Sequence, residues 1–250
     1  MHVRKFGTGP VFLTAIATIL GAVMFLRFGY AVAHVGVLGV VGIILLGHMV
    51  TIPTAMAIAE IATNQKVEGG GEYYIISRSF GLTVGGAIGL ALFMSQAISA
   101  SFYIIAFAES FTPVIHWLQD AYGITISDKR IISVPATLGL SVLMLTKGAN
   151  MGMKVLYGVV AVLGISILCF FLGKPLAEAP QDMEYITRTV ANPDPFFYVF
   201  AICFPAFTGM TAGVGLSGDL KRPKKSIPLG TLSATLCGMV IYLLLAFKLG

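Results

Sequence analysis

The sequence predicts an all-α, multi-span membrane protein, and three observations carry that prediction. Of its 250 residues 57% are hydrophobic and 11% are charged, where a soluble domain would carry about a quarter charged residues. The charges gather in short intervals between apolar runs, each of about twenty residues and so long enough to cross ~30 Å of hydrocarbon as a helix. Two of these runs are interrupted near mid-depth by glycines and hydroxyls, and in one case also by a proline. Lipid cannot hydrogen-bond free peptide groups, so such interruptions persist only where protein or a watery cavity covers them.

Seven spans follow in order, within one transmembrane domain covering residues 1–250. The first runs over 9–33 and is entered from Arg4 and Lys5. No small-residue cleavage pattern follows a short apolar core, so this start reads as a retained span. Inside it lie Thr18-Ile19-Leu20-Gly21-Ala22 and, further on, Arg27. The second span, 36–63, holds His48, read as a neutral packing histidine satisfied by a backbone carbonyl. Glu60 near its end is a gate residue or a solvated helix end. The third, 82–113, contains Tyr103 and ends near Glu109. The fourth and fifth cover 131–147 and 151–173. The sixth, 195–216, is broken at Pro205-Ala206-Phe207-Thr208-Gly209-Met210-Thr211. The seventh, 227–249, follows a basic cluster, Lys221 to Lys225, that orientation and contact with anionic lipid explain.

Basic residues set the topology. With a cytoplasmic N-terminus the inner side collects Arg4, Lys5, Lys66, Arg78, Lys147, Lys154, Lys221, Arg222, Lys224 and Lys225. The outer side holds Lys129, Arg130, Lys174, Arg188 and Lys248. This bias obeys the positive-inside rule. The net charge of +5 does not signal nucleic acid, because the basic residues sit at span ends rather than on one stripe. Cys169, Cys203 and Cys237 all lie in apolar segments and read as packing residues, with neither a disulfide framework nor a transition-metal site. Gly69-Gly70-Gly71 is no phosphate loop, since no Lys-Ser/Thr follows and no strand precedes it. It is expected to let a cytoplasmic loop pack tightly beneath the site. No nucleophile and base pair points to an enzyme.

The two interruptions lie five spans apart, the spacing an inverted five-helix repeat produces when its two broken helices meet at the bilayer centre. Ordinary proline and glycine kinks are the alternative, and the cluster of Pro, Thr, Gly and Thr in the sixth span favours a break. A broken helix offers both signs of ion ligand from backbone alone. Freed carbonyls suit cations, and half-helix N-termini suit anions. Thr208, Tyr103 and the carbonyls around Thr18, Ile19 and Pro205 are oxygen donors for a dehydrated alkali cation. The amides near Gly21 to Val23 and Gly209 to Thr211 are candidates for chloride.

Several motifs in order carry a family resemblance. They are Phe6-Gly7-Thr8, Gly21-Ala22-Val23-Met24-Phe25-Leu26-Arg27, Ala57-Ile58-Ala59-Glu60-Ile61-Ala62-Thr63-Asn64, and Gly69-Gly70-Gly71-Glu72-Tyr73-Tyr74-Ile75-Ile76-Ser77-Arg78-Ser79. Phe107-Ala108-Glu109, Ser217-Gly218-Asp219-Leu220-Lys221 and Ser226-Ile227-Pro228 complete the set. The chain resembles the cation-chloride cotransporters of the amino acid, polyamine and organocation superfamily over nearly its whole length. The resemblance implies a leucine-transporter-type fold of twelve spans, of which this chain supplies the first seven. It implies an electroneutral symporter of chloride with potassium, and with sodium as a further candidate, in the plasma membrane. The bilayer and inorganic ions are the implied partners; no cofactor is implied, and a homodimer is left open.

Carried over residue by residue, the potassium site would use the carbonyls of Thr18 and Ile19, the Tyr103 hydroxyl, the Pro205 carbonyl and the Thr208 hydroxyl. One chloride would sit near Gly21, Ala22 and Val23, and a second at Gly209, Met210 and Thr211. Leu20 holds the first-span sodium position. Arg27 and Glu109 would pair as an extracellular gate, with snorkelling of each to the headgroups as the alternative. The chain departs from the family at Thr18, where animal members commonly carry asparagine, and at Gly215, where an Asn would precede the Ser-Gly-Asp-Leu motif. Two other readings remain at this point, an amino acid or amine permease on the same fold and a non-transporting membrane scaffold. Permease relatives carry a Gly-x-Gly break in the first span, whereas here Gly21 stands between Leu20 and Ala22.

Overall fold

A computed structural model describes residues 6–64, 69–174, 186–187 and 189–250, and Arg4, Lys5, Lys66 and Arg188 of the topology count lie outside them. Of Lys147 to Asn150 only the helical backbone is described. Eight α-helices order the described chain: α1 (Thr8–Ile19), α2 (Ala22–Asn64), α3 (Gly71–Phe80), α4 (Leu82–Ser110), α5 (Thr112–Tyr122), α6 (Arg130–Leu172), α7 (Phe196–Cys203) and α8 (Pro223–Leu249). Between α7 and α8 the backbone winds as 3-10 helix over Phe204–Phe207 and Gly209–Asp219. No strand is formed among the described residues, and the expected all-helical membrane fold is what the chain adopts.

The described chain divides into two compact units. The first takes its described residues from Met1–Gly85 and Leu156–Gly250, and the second is Gly86–Val155. In the first unit α1, α2, α7 and α8 close around a core in which Phe28, Phe207 and Tyr242 are buried together. The Phe28 and Tyr242 rings lie 4.5 Å apart, and Phe207 meets Tyr242 edge-on at 5.2 Å. The second unit holds Tyr103 and Glu109 on α4, with Trp117 packed edge-on to Tyr122 at 5.5 Å.

The boundary between the first two expected spans is a single glycine. Gly36 adopts φ 68°, ψ 172° inside α2, a region open to glycine and strained for other residues. A Cβ there would also lie 3.0 Å from the Ile186 carbonyl oxygen. Chain remote in sequence thus lies over this turn. The Val190 amide donates to the Ala33 carbonyl, the Asp194 amide donates to His34 Nδ1 at 2.9 Å, and the Tyr30 hydroxyl donates to the Asp194 carboxylate.

Two expectations change. The fourth and fifth spans form one continuous helix, α6, of 43 residues. Lys147-Gly148-Ala149-Asn150 contains no proline, and its glycine and asparagine cost only about 1 kcal/mol or less each in a helix, so nothing local stops it. The sixth span is α-helical only over the eight residues of α7, because the unwinding extends through Asp219. Pro205 lacks the N–H that a continuing helix would use, and glycines at 209, 213, 215 and 218 lower helix propensity along the remainder.

Candidate functional site

Both predicted interruptions are present, and in the first unit they touch. Helix α1 ends at Ile19, Leu20 turns with φ −86°, ψ 38°, and α2 begins at Ala22. The last carbonyls of α1 and the first amides of α2 therefore flank Leu20–Gly21, where the helices themselves supply no partners for them. The α1 end carries the negative pole of its dipole and the α2 start the positive pole. Thr18 sends its hydroxyl back to the Thr14 carbonyl at 2.8 Å, which leaves its carbonyl as the group available at the break.

The second interruption lies against the first. A Cβ on Gly209 would sit 2.7 Å from the Ile19 nitrogen and 2.9 Å from the Thr18 carbonyl carbon, so only glycine permits this approach. Four residues on, a Cβ on Gly213 would meet the Val11 carbonyl oxygen at 2.6 Å. Gly209, Met210 and Thr211 are the first residues of the second 3-10 segment, and their amides point toward an end with no helical acceptors. Just before it, the Thr208 hydroxyl donates to the Pro205 carbonyl at 2.9 Å, and both residues are exposed. The structure therefore brings Thr18 and Ile19 together with Gly209, and Pro205 together with Thr208. Tyr103 is exposed and Glu109 half-buried in the second unit, and Arg27 is exposed on α2.

Helix α8 grips the same junction from a third side. A Cβ on Gly230 would meet Val11 Cγ1 at 2.5 Å, and one on Gly238 would meet Ile19 Cγ2 at 2.6 Å. One turn past Gly238, the buried Tyr242 hydroxyl donates to the Ile19 carbonyl at 2.6 Å. Sequence reasoning missed this residue. The available signal was a phenol in the apolar stretch 236–247 of its span, spaced four residues from a glycine. His48 is buried with Nδ1 donating to the Ile44 carbonyl at 2.8 Å and its ring 5.0 Å from Phe207, so it packs behind the second break as expected.

The motifs at the chain-start end of α1 converge below the junction. Phe6 forms a parallel bridge with Leu220: the Phe6 amide donates to the Asp219 carbonyl at 3.0 Å and the Lys221 amide to the Phe6 carbonyl at 2.9 Å. The Gly71 amide donates to the buried Ser217 hydroxyl at 3.3 Å. Gly70 and Gly71 have φ of 120° and 56°, and a Cβ on Gly218 would lie 3.0 Å from the Gly69 Cα, so the glycine run serves close packing beneath the site. Glu72 stands at the start of α3 near Thr211; burial pushes its carboxyl above the usual range, and the Thr211 side chain partly offsets that rise.

An all-helical chain whose two interrupted spans meet has the scaffold of a membrane transporter of the leucine-transporter type. The model of the amino acid permease family matches residues 10–250, and the chain belongs to that family. It is 36% identical over 267 residues to solute carrier family 12 member 1 of Oryctolagus cuniculus, covering 98% of this chain and 24% of that protein. Solute carrier family 12 member 2 of Homo sapiens is 34% identical over 99% of this chain and 22% of its own length. Member 3 of Pseudopleuronectes americanus is 31% identical over 96% of this chain and 25% of its own length. The chain thus spans about a quarter of the length of these curated relatives. They bear out the resemblance to the N-terminal transmembrane part of the cation-chloride cotransporters.

Proposed function

We propose that the protein is a secondary active symporter that moves chloride with potassium, and sodium where a further site exists, by electroneutral alternating access about the two broken spans. The observation that carries this reading is the contact of Gly209 with the Thr18–Ile19 peptide. It juxtaposes freed carbonyls of one helix end with amide-rich starts of two others. Oxygen ligands suit the hard potassium ion and amides suit chloride, and the two ions lower each other's cost of burial when held side by side. Potassium takes the carbonyls of Thr18, Ile19 and Pro205 with the hydroxyls of Thr208 and Tyr103. One chloride lies at Gly21, Ala22 and Val23, and another at Gly209, Met210 and Thr211, with Leu20 as a sodium contact. Arg27 and Glu109 form the outer gate of a plasma-membrane protein whose N-terminus is cytoplasmic. Kinship with the solute carrier family 12 proteins supports the choice of ions.

Rubidium uptake into liposomes carrying the full-length protein tests this, with chloride present or replaced by gluconate. Uptake that requires chloride and leaves the membrane potential unaltered is expected. Chloride-independent rubidium flux, or uptake of amino acids in place of ions, would overturn the reading in favour of the permease alternative.

A further inference from the structure

Ile19 ends α1, so its carbonyl has no donor from a following helical turn. The structure gives that carbonyl one from elsewhere, the Tyr242 hydroxyl at 2.6 Å. Tyr242 has no exposed surface and is braced by the rings of Phe28 at 4.5 Å and Phe207 at 5.2 Å. One turn earlier, Gly238 lets α8 close onto the Ile19 side chain, with a would-be Cβ 2.6 Å from Cγ2. On the opposite side Gly209 closes onto the Ile19 nitrogen. Ile19 is thereby held by three contacts, at its nitrogen, its side chain and its carbonyl, and the Tyr242 contact is the one that touches the oxygen.

We propose that Tyr242 is a positioning and selectivity residue for the cation, acting through the Ile19 carbonyl; this rests on the symport reading above. A carbonyl oxygen has two lone pairs, so it can accept the phenol proton on one and face a cation with the other. Accepting that proton fixes the direction of the carbonyl. It also draws electron density from the oxygen and lowers the field it presents to an ion. Ligands of low field favour large, easily dehydrated cations over small ones, because a small ion gives up more hydration and needs stronger ligands in return. Tyr242 thus tilts the site toward potassium and rubidium and away from lithium and sodium. The site residues named from sequence all lie on other helices, and this one comes from α8.

Tyr242→Phe removes the hydroxyl and keeps the ring that Phe28 and Phe207 brace. The measurement is chloride-dependent rubidium uptake by the full-length protein in liposomes, with lithium and potassium as competitors and chloride varied separately. The variant is expected to lose about threefold to tenfold in rubidium over lithium preference, the order of one hydrogen bond. Its half-saturating chloride should change less than about twofold. Phe28→Leu is the packing control: it loosens the same aromatic cluster, and should lower Tm while leaving the rubidium over lithium preference in place. An unchanged preference in Tyr242→Phe, or parallel losses for rubidium and chloride, would overturn the inference. If the wild-type flux needs no chloride yet the variant still loses its preference, the symport reading falls and the role of Tyr242 stands. If the wild-type protein moves no rubidium and KCl raises its Tm no more than LiCl does, both are overturned.

Discussion

The two helix breaks solve one problem by different means. The first is short: α1 stops at Ile19, Leu20 and Gly21 turn, and a full helix resumes at Ala22. The second never resumes as α-helix and passes through 3-10 winding from Phe204 to Asp219. A 3-10 run of such length has poorer internal hydrogen bonding than an α-helix and needs support from its surroundings. Here the support is docking, of Gly209 onto Ile19, Gly213 onto Val11 and Gly215 and Ser217 onto the start of α3. The first break stands mainly on its own turn and is held from α8. The break whose winding rests on docking, the second, should be the more fragile of the two, and substitutions can measure the difference.

The largest effect is expected at Gly209. Gly209→Val places branched carbon where backbone atoms already lie within 2.9 Å, and the obstruction is backbone rather than a flexible side chain. Overpacking of this kind costs about 1–3 kcal/mol, so chloride-dependent rubidium uptake should fall by about fivefold to about a hundredfold. Undiminished uptake would break the claim that the two interruptions meet.

Next comes Thr208→Val, which keeps the side-chain shape and removes the hydroxyl bound to the Pro205 carbonyl at 2.9 Å. The loss of one hydrogen bond and one ligand should raise the half-saturating rubidium concentration by about fivefold, with a smaller change for chloride. Equal changes for both ions would remove Thr208 from the cation side. Gly21→Ala should be milder, within about twofold of wild-type flux, because the one tight neighbour of its Cβ would be the Thr18 carbonyl oxygen, at 3.0 Å in the same turn, with Ala17 at an ordinary 3.6 Å. A loss as large as that of Gly209→Val would erase the distinction between the breaks.

Much of this arrangement was legible in the residues. Both breaks were expected where they occur, because proline, glycine and threonine within an apolar run leave few other readings at mid-depth. Their meeting was expected from the five-span spacing, but the contacts that make it were not legible, since they depend on glycines at 209, 213, 230 and 238 acting against α1, and single glycines are common in membrane helices. The length of the second break was missed for the same reason: its 3-10 winding is stabilised by neighbours, not by local propensity. The merging of the fourth and fifth spans into α6 went unseen because a lysine and an asparagine marked a membrane boundary without a residue that ends a helix. Tyr242 escaped notice because hydrogen bonding between Tyr242 and Ile19 joins positions too far apart in sequence for any periodic pattern.

The smallest expected effect lies two residues past Gly209 in the second break, where Glu72 faces Thr211. Burial raises the Glu72 carboxyl above its ordinary range, so its protonated form is the one the docked state favours. For an acid raised on docking, the stabilisation is fully present below the ordinary pKa and is lost as pH rises through the raised value. Protection of the 69–80 backbone from hydrogen exchange should therefore decline as pH increases through that window, after correction for intrinsic exchange rates. Glu72→Gln stays neutral at every pH, so its protection should be level across the window while that of the Gly209 region stays as in the wild type. A pH-dependent decline that survives in Glu72→Gln would assign the pH response to another titrating group, and a wild-type protection already level across the window would leave the docking of α3, and with it this part of the second break, to the glycine contacts alone.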